Sequence, residues 1–309
     1  MNKASQIRIA DFCFLAFFAI LPFLDILASI VLGLMLVLGL VFKLQKSFFQ
    51  RLIEQKGLVL LMLFFVIAVC SLSYTSDLGK SLERLSKMLA YILIPSAFLI
   101  VNPTAELIQK AMKVFIYSLI AFCSFSLLRL GYHLIVDYEI SHWYNFVQDS
   151  MYHKRMPEDA MYLNTGLVLV LFGSFDRNFK LLVSFLFLTV IVLFGVRLGL
   201  FIYLLIVAIY FLKNVKELLS IKSLVIAVLA ISASIMLIQQ SRYVNDKFFD
   251  TLDKIGFNTS NQVSEVGENY HSINLRQKLW TSASELIIER PIFGYGVGDE
   301  KNELEKIYL

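Results

Sequence analysis

Residues 12–42 read FCFLAFFAILPFLDILASIVLGLMLVLGLVF, an apolar run that contains one carboxylate and no cationic side chain. A bilayer core of about 30 Å calls for a helix of about 17 to 25 apolar residues. At a rise of about 1.5 Å per residue this run is too long for a single span. Pro22 and Asp25, near its middle, predict a tight hairpin of two short spans.

Further apolar runs at 57–73, 88–101, 112–131, 161–175, 181–196, 198–212 and 223–238 bring the expected total to nine spans. The fold class is therefore all-α, a polytopic integral membrane protein. A chain that is 58% hydrophobic and 17% charged, with a mean hydropathy of +0.71, has too little polar side chain to cover a soluble domain of this length. A net charge of +4, with no basic tract interleaved with aromatics, gives no reason to expect nucleic acid. Cys13, Cys70 and Cys123 all lie in or beside apolar runs, where they read as small packing residues and not as a disulfide or metal framework. The first run is longer than a signal-peptide core and lacks a small-residue cleavage site, so it reads as a retained helix.

The distribution of Lys and Arg sets an expected orientation. With the N-terminus in the cytoplasm, the cytoplasmic pieces hold residues such as Lys43, Lys46, Arg51, Lys56, Lys213 and Lys216. The external short loops hold fewer cations, among them Lys80, Arg84, Lys87 and Arg197. The expected division is a transmembrane domain over 1–238 and an external segment over 239–309. All four histidines and both tryptophans then fall on the external side, in the loop near 130–160 or in the tail.

Arg197 sits in VRLGLFIYLL, between two apolar runs with almost nothing separating them. It reads either as a snorkelling arginine at a helix end or as a fixed charge facing a phosphate. Arg276 and Trp280 are spaced i and i+4 on an expected helix 272–289, capped by Ser272 and ended by Pro291. Leu275, Leu279, Ala283 and Leu286 form its apolar stripe. The helix reads as an interfacial one, with Trp280 at the headgroups, or as one that also turns Arg276 towards a ligand. The loop after it has three alternate glycines, Gly294, Gly296 and Gly298, which permit positive φ and close backbone approach but do not have P-loop spacing. Glu158 and Asp159 read as a solvated loop pair. No histidine spacing suggests zinc.

Taken together, VRLGLFIYLL, LRQKLW and ERPIFGYGVGD resemble the O-antigen ligase and O-antigen polymerase superfamily. There an arginine precedes a tryptophan by four, and a short helix leads to Pro, a large apolar residue and Gly-x-Gly-x-Gly. The matching positions are Arg276, Trp280, Pro291, Phe293, Gly294, Gly296 and Gly298. Arg197 corresponds to an earlier family arginine, and residues 84–103 resemble the family's fourth-span region. The resemblance implies glycan transfer at the outer face of the bacterial inner membrane, with the N-terminus cytoplasmic and the C-terminal segment periplasmic. The implied donor is an undecaprenyl-diphosphate-linked saccharide. The implied acceptor is a lipid A-core sugar or another glycan, membrane lipids are partners, and no metal or nucleotide cofactor is used. Arg197 and Arg276 would be catalytic at the diphosphate. Trp280, Gly294, Gly296, Gly298 and His153 would stand on the substrate side. The family's histidine base lies beyond the glycine loop, in a His-Asn pair followed by further spans. The chain is thus expected to be a C-terminally shortened member. The alternatives are an inactive truncated paralogue or a polysaccharide-related transporter or flippase.

Overall fold

The computed structural model describes residues 3–43, 52–136, 156–213 and 269–308, and all regular structure among them is helical. The first apolar run divides into α1 (Lys3–Ile20) and α2 (Asp25–Lys43). Pro22 stands in the turn between them, where the Phe23 and Leu24 amides both donate to the Ile20 carbonyl. The break falls where the proline predicts it.

The chain continues through α3 (Lys56–Cys70), a 3₁₀ turn (Ser71–Tyr74), α4 (Leu78–Met88), α5 (Ala90–Val101) and α6 (Ala105–Val136). After these come α7 (Met156–Phe172), α8 (Arg177–Phe194), α9 (Arg197–Lys213), α10 (Asn269–Glu289) and α11 (Glu300–Tyr308). Four stretches are long and apolar enough to cross a bilayer: Lys56–Tyr74, Leu78–Val101, Ala105–Val136 and Arg177–Phe194. α7 and α9 fall just short, at 17 residues each. The expected span at 223–238 lies outside the described residues. These helices make the chain a membrane protein.

Two of these helices depart from the sequence reading. Lys80, Arg84 and Lys87 were expected in a loop, but they lie on α4, which runs into α5 with only Leu89 between them. Asp77 starts that helix by accepting the Lys80 amide at 3.0 Å. Glu158 and Asp159 were expected in a solvated loop but lie in the first turn of α7, with Asp159 buried. Pro157 is tolerated in a first turn, and carboxylates there complement the helix dipole, so MPED is a good helix start.

The helices group into two compact units. The first contains Met1–Cys13, Leu32–Pro103 and Ser260–Leu309. Within it α3 has no buried residue, and Leu60, Phe64 and Ile67 are exposed. A helix that is apolar all round and covered by little protein is suited to lipid contact. α3 packs on α5, with Phe64 edge-on to Tyr91 at 5.2 Å.

The second unit contains Phe14–Val31 and Thr104–Thr259. Its core is built from Phe122 and Cys123 of α6, Leu163 and Leu167 of α7, Phe187 and Ile191 of α8, and Tyr203 of α9. Glycines allow this packing, as small residues do between membrane helices. A Cβ on Gly166 would run into Leu119 and lie 3.0 Å from the Phe187 ring. One on Gly199 would come within 2.8 Å of the Ala160 Cβ. Asn164 donates to the Gly199 carbonyl at 2.9 Å, tying α7 to the first turn of α9.

Candidate functional site

α10 begins at Asn269, three residues before the expected cap. Asn and Ser both favour helix starts, and no Pro or Gly separates Asn269 from Ser272, so the helix runs back and Ser272 lies inside it. The C-terminal end falls as Pro291 requires: α10 stops at Glu289, and the Gly294 amide donates to the Arg290 carbonyl at 3.2 Å. Leu279, Ala283 and Leu286 of the expected apolar stripe are partly buried. Trp280 is 75% exposed.

The glycine loop, PIFGYGVGD, packs against the turn that joins α3 to α4, SLSYTSDLGKS over residues 71–81. Gly294 and Gly296 have φ of +66° and +89°, a region that disfavours other residues. Gly296 and Gly298 also allow a close approach. A Cβ on Gly296 would lie 2.5 Å from Thr75 Oγ1, and one on Gly298 would strike Ser81 Oγ and lie 2.5 Å from the Asp77 carbonyl oxygen. The backbones therefore meet almost directly, and polar groups of the turn take up those of the loop. Val297 N–H donates to Ser71 Oγ at 3.2 Å, and Gly298 N–H donates to Thr75 Oγ1 at 3.3 Å. Tyr74 Oη donates to the Phe293 carbonyl at 2.5 Å.

Asp299 closes the contact. Its carboxylate is buried and accepts from the Ser76 amide at 2.6 Å, the Ser76 hydroxyl at 2.8 Å and the Asp77 amide at 3.0 Å. The Ser76 amide above all, with the other donors of the turn, holds this carboxyl below the usual aspartate range. The Asp299 carbonyl meanwhile accepts the first helical bond of α11, from the Glu303 amide at 3.0 Å. One residue thus starts a helix and anchors the loop. Arg84 pairs with Glu300, and Lys80 reaches Asn302 at 3.0 Å. On the other side of the loop, the Arg290 guanidinium lies 4.4 Å from the Tyr295 ring centroid. Tyr295 donates to Glu289, a bond that raises its phenol above the ordinary range.

Arg197 opens α9 in the second unit. α8 ends at Phe194, and Gly195 takes a left-handed φ of +65° with its amide on the Val192 carbonyl at 3.0 Å. The chain reverses there, and two residues later the exposed Arg197 begins the next helix. Arg276 lies one turn before Trp280 on α10, and its side chain is outside the described residues. His153 is wholly outside them. Trp280, Gly294, Gly296 and Gly298 therefore belong to the first unit and Arg197 to the second.

The sequence reading missed the Ser/Thr-rich turn 71–81 and Asp299. A local signal existed in each case: a cluster of hydroxyl residues between two apolar runs, and a carboxylate directly after the third glycine. What they contact was not locally readable.

The geometry so far defines a membrane-embedded helical protein with a glycine loop seated at the mouth of two spans. Residues 164–308 match the family model described as O-antigen ligase. This part of the chain, which includes Arg197, α10 and the glycine loop, is similar to the O-antigen ligase family. Neither the curated proteins nor the solved structures yielded a match.

Proposed function

We propose that the protein transfers a saccharide from undecaprenyl diphosphate to a glycan acceptor, of the lipid A-core or repeat-unit kind, at the outer face of the inner membrane. In this reading nine spans place the N-terminus in the cytoplasm, and residues 239–309 form the periplasmic segment. The acceptor hydroxyl attacks the anomeric carbon of the donor sugar and gives up its proton to a general base. The bond from that carbon to the diphosphate oxygen breaks, and undecaprenyl diphosphate leaves with the electron pair.

The arginine that opens α9 carries this reading. A guanidinium there adds its charge to the positive end of a helix. Positive charge at a helix start favours a bound anion. Guanidinium binds phosphate oxygens in pairs and stays protonated, as a leaving diphosphate requires. Arg276 takes the second position on the diphosphate, and Trp280 stands where polyprenyl lipid meets it. Gly294, Gly296 and Gly298 serve by shaping the loop, since the Val297 and Gly298 amides already donate to Ser71 and Thr75.

The test is glycan transfer in membranes of cells that make the lipid-linked donor but lack their own ligase. Arg197→Gln and Arg276→Gln should each reduce transfer about 100-fold or more, the scale of losing one charge-stabilising donor, with membrane insertion unchanged. Transfer at the parent rate in both variants would end the diphosphate assignment.

A further inference from the structure

The sides of α10 are not equivalent. Ser282 is buried, and Leu279, Ala283 and Leu286 are partly so, which makes one side protein-facing. Thr281, Glu285 and Glu289 form an exposed polar row. Between them lies a third side: Trp280, Ile287 and Ile288, spaced i, i+7 and i+8, are 75%, 65% and 79% exposed. Ile292 and Phe293 continue it through the turn at 84% and 76%. Five large apolar side chains exposed within fourteen residues are more than an external segment leaves uncovered without a partner.

The height of this patch identifies the partner. The Phe293 carbonyl accepts the Tyr74 hydroxyl, and Tyr74 is the last residue of the apolar stretch Lys56–Tyr74. The next apolar stretch begins at Leu78, inside the same turn. The backbone that carries Phe293 is therefore bonded to the end of the bilayer-length stretch Lys56–Tyr74, where hydrocarbon gives way to headgroups. An aromatic and aliphatic side with a polar row across the helix is consistent with a segment lying in that boundary.

We propose that Trp280, Ile287, Ile288, Ile292 and Phe293 insert into the headgroup–acyl boundary of the bilayer that the protein itself spans. The patch sets the height of α10, and so, on the function proposed above, the plane in which Arg276 meets a lipid-linked donor.

The chain has two tryptophans, so Trp143→Phe leaves Trp280 as the sole indole. Trp143→Tyr serves where that variant does not accumulate. The full chain is placed in lipid nanodiscs whose acyl chains are brominated either near the carboxyl end or near the methyl end. Trp280 should be quenched more by the first lipid than by the second, and acrylamide should quench it several-fold less than free tryptophan. Full acrylamide quenching with no bromolipid effect would overturn the proposal in favour of solvent. Protection from both quenchers would overturn it in favour of a protein cover. A control variant, Phe64→Trp in a Trp143→Phe, Trp280→Phe background, reports on a residue of α3 that is 53% exposed. Bromolipid quenching at position 64 without quenching of Trp280 defeats the patch alone. Quenching at neither position defeats the assignment of α3 as a bilayer span and the patch with it.

Discussion

The Asp299 carboxylate accepts two hydrogen bonds from Ser76, one from its amide and one from its hydroxyl, across 223 residues of chain. An anion held by backbone amides just before a helix start satisfies donors that the helix itself cannot. The pair links the end of the glycine loop to the turn between two spans, and α11 starts from the same residue.

The first prediction concerns acid. The folded carboxyl of Asp299 lies below its ordinary value of about 3.9. Its contribution to stability is therefore complete above that pH and is lost as pH falls through the depressed folded value. Asp299→Asn cannot titrate, so its thermal stability should depend less on pH below about 4 than the parent's. Monodispersity in detergent after heating, measured across this range, checks it. Parallel curves for the two proteins would contradict it.

Gly298→Ala should destabilise by about 1–3 kcal/mol, the usual cost of overpacking. The added methyl would meet the Asp77 carbonyl oxygen at 2.5 Å, and a backbone atom cannot rotate away. Gly33→Ala is the control, because nothing lies within 4 Å of its Cβ and alanine favours the helix. The same heating assay should show a loss for the first substitution and none for the second.

How much of this was readable in advance depended on the range of the signal. Pro22 breaking the first run, the gap before Arg197 and Pro291 ending α10 are local effects of proline, glycine and hydrophobic period, and each was legible. The glycines were recognised as sites of positive φ and close approach. Their neighbours were not, because Thr75 and Ser81 are more than 200 residues away, and no period in one segment names its partner in another. Lys80, Arg84 and Lys87 suggested a loop because charge suggests exposure. An amphipathic helix leading into a span provides that exposure without being a loop. Burial of Asp159 was hidden for the opposite reason, since its neighbour Glu158 is exposed and the pair looked uniform.

A third prediction follows from the contact of Gly199 with Ala160. Gly199→Ala would push the first turn of α9 away from α7, and Arg197 begins that turn. Glycan transfer should fall, and Ala160→Gly in the same chain should restore much of it by removing the opposing methyl. Failure of the second substitution to recover activity would show that the contact does not position Arg197.

Asn164→Ala removes the bond to the Gly199 carbonyl from the same joint. Interhelical hydrogen bonds in membranes contribute about 0.6 kcal/mol on average and about 1.7 at most. A loss within that range on unfolding is expected, with Thr165→Ala as the comparison. Among the described residues the Thr165 hydroxyl bonds within its own helix, to the Met161 carbonyl at 2.9 Å.

The span between Ser76 and Asp299 has a consequence for synthesis. The turn 71–81 leaves the ribosome early, with its amides and hydroxyls without the partners they have in the finished protein. The residues that complete it come more than 200 positions later, after every intervening helix has been made. Closing so long a loop costs little more entropy than closing one half its length. The delay is therefore one of time rather than free energy, and a nascent chain can be told from a mature one by whether this turn is still open.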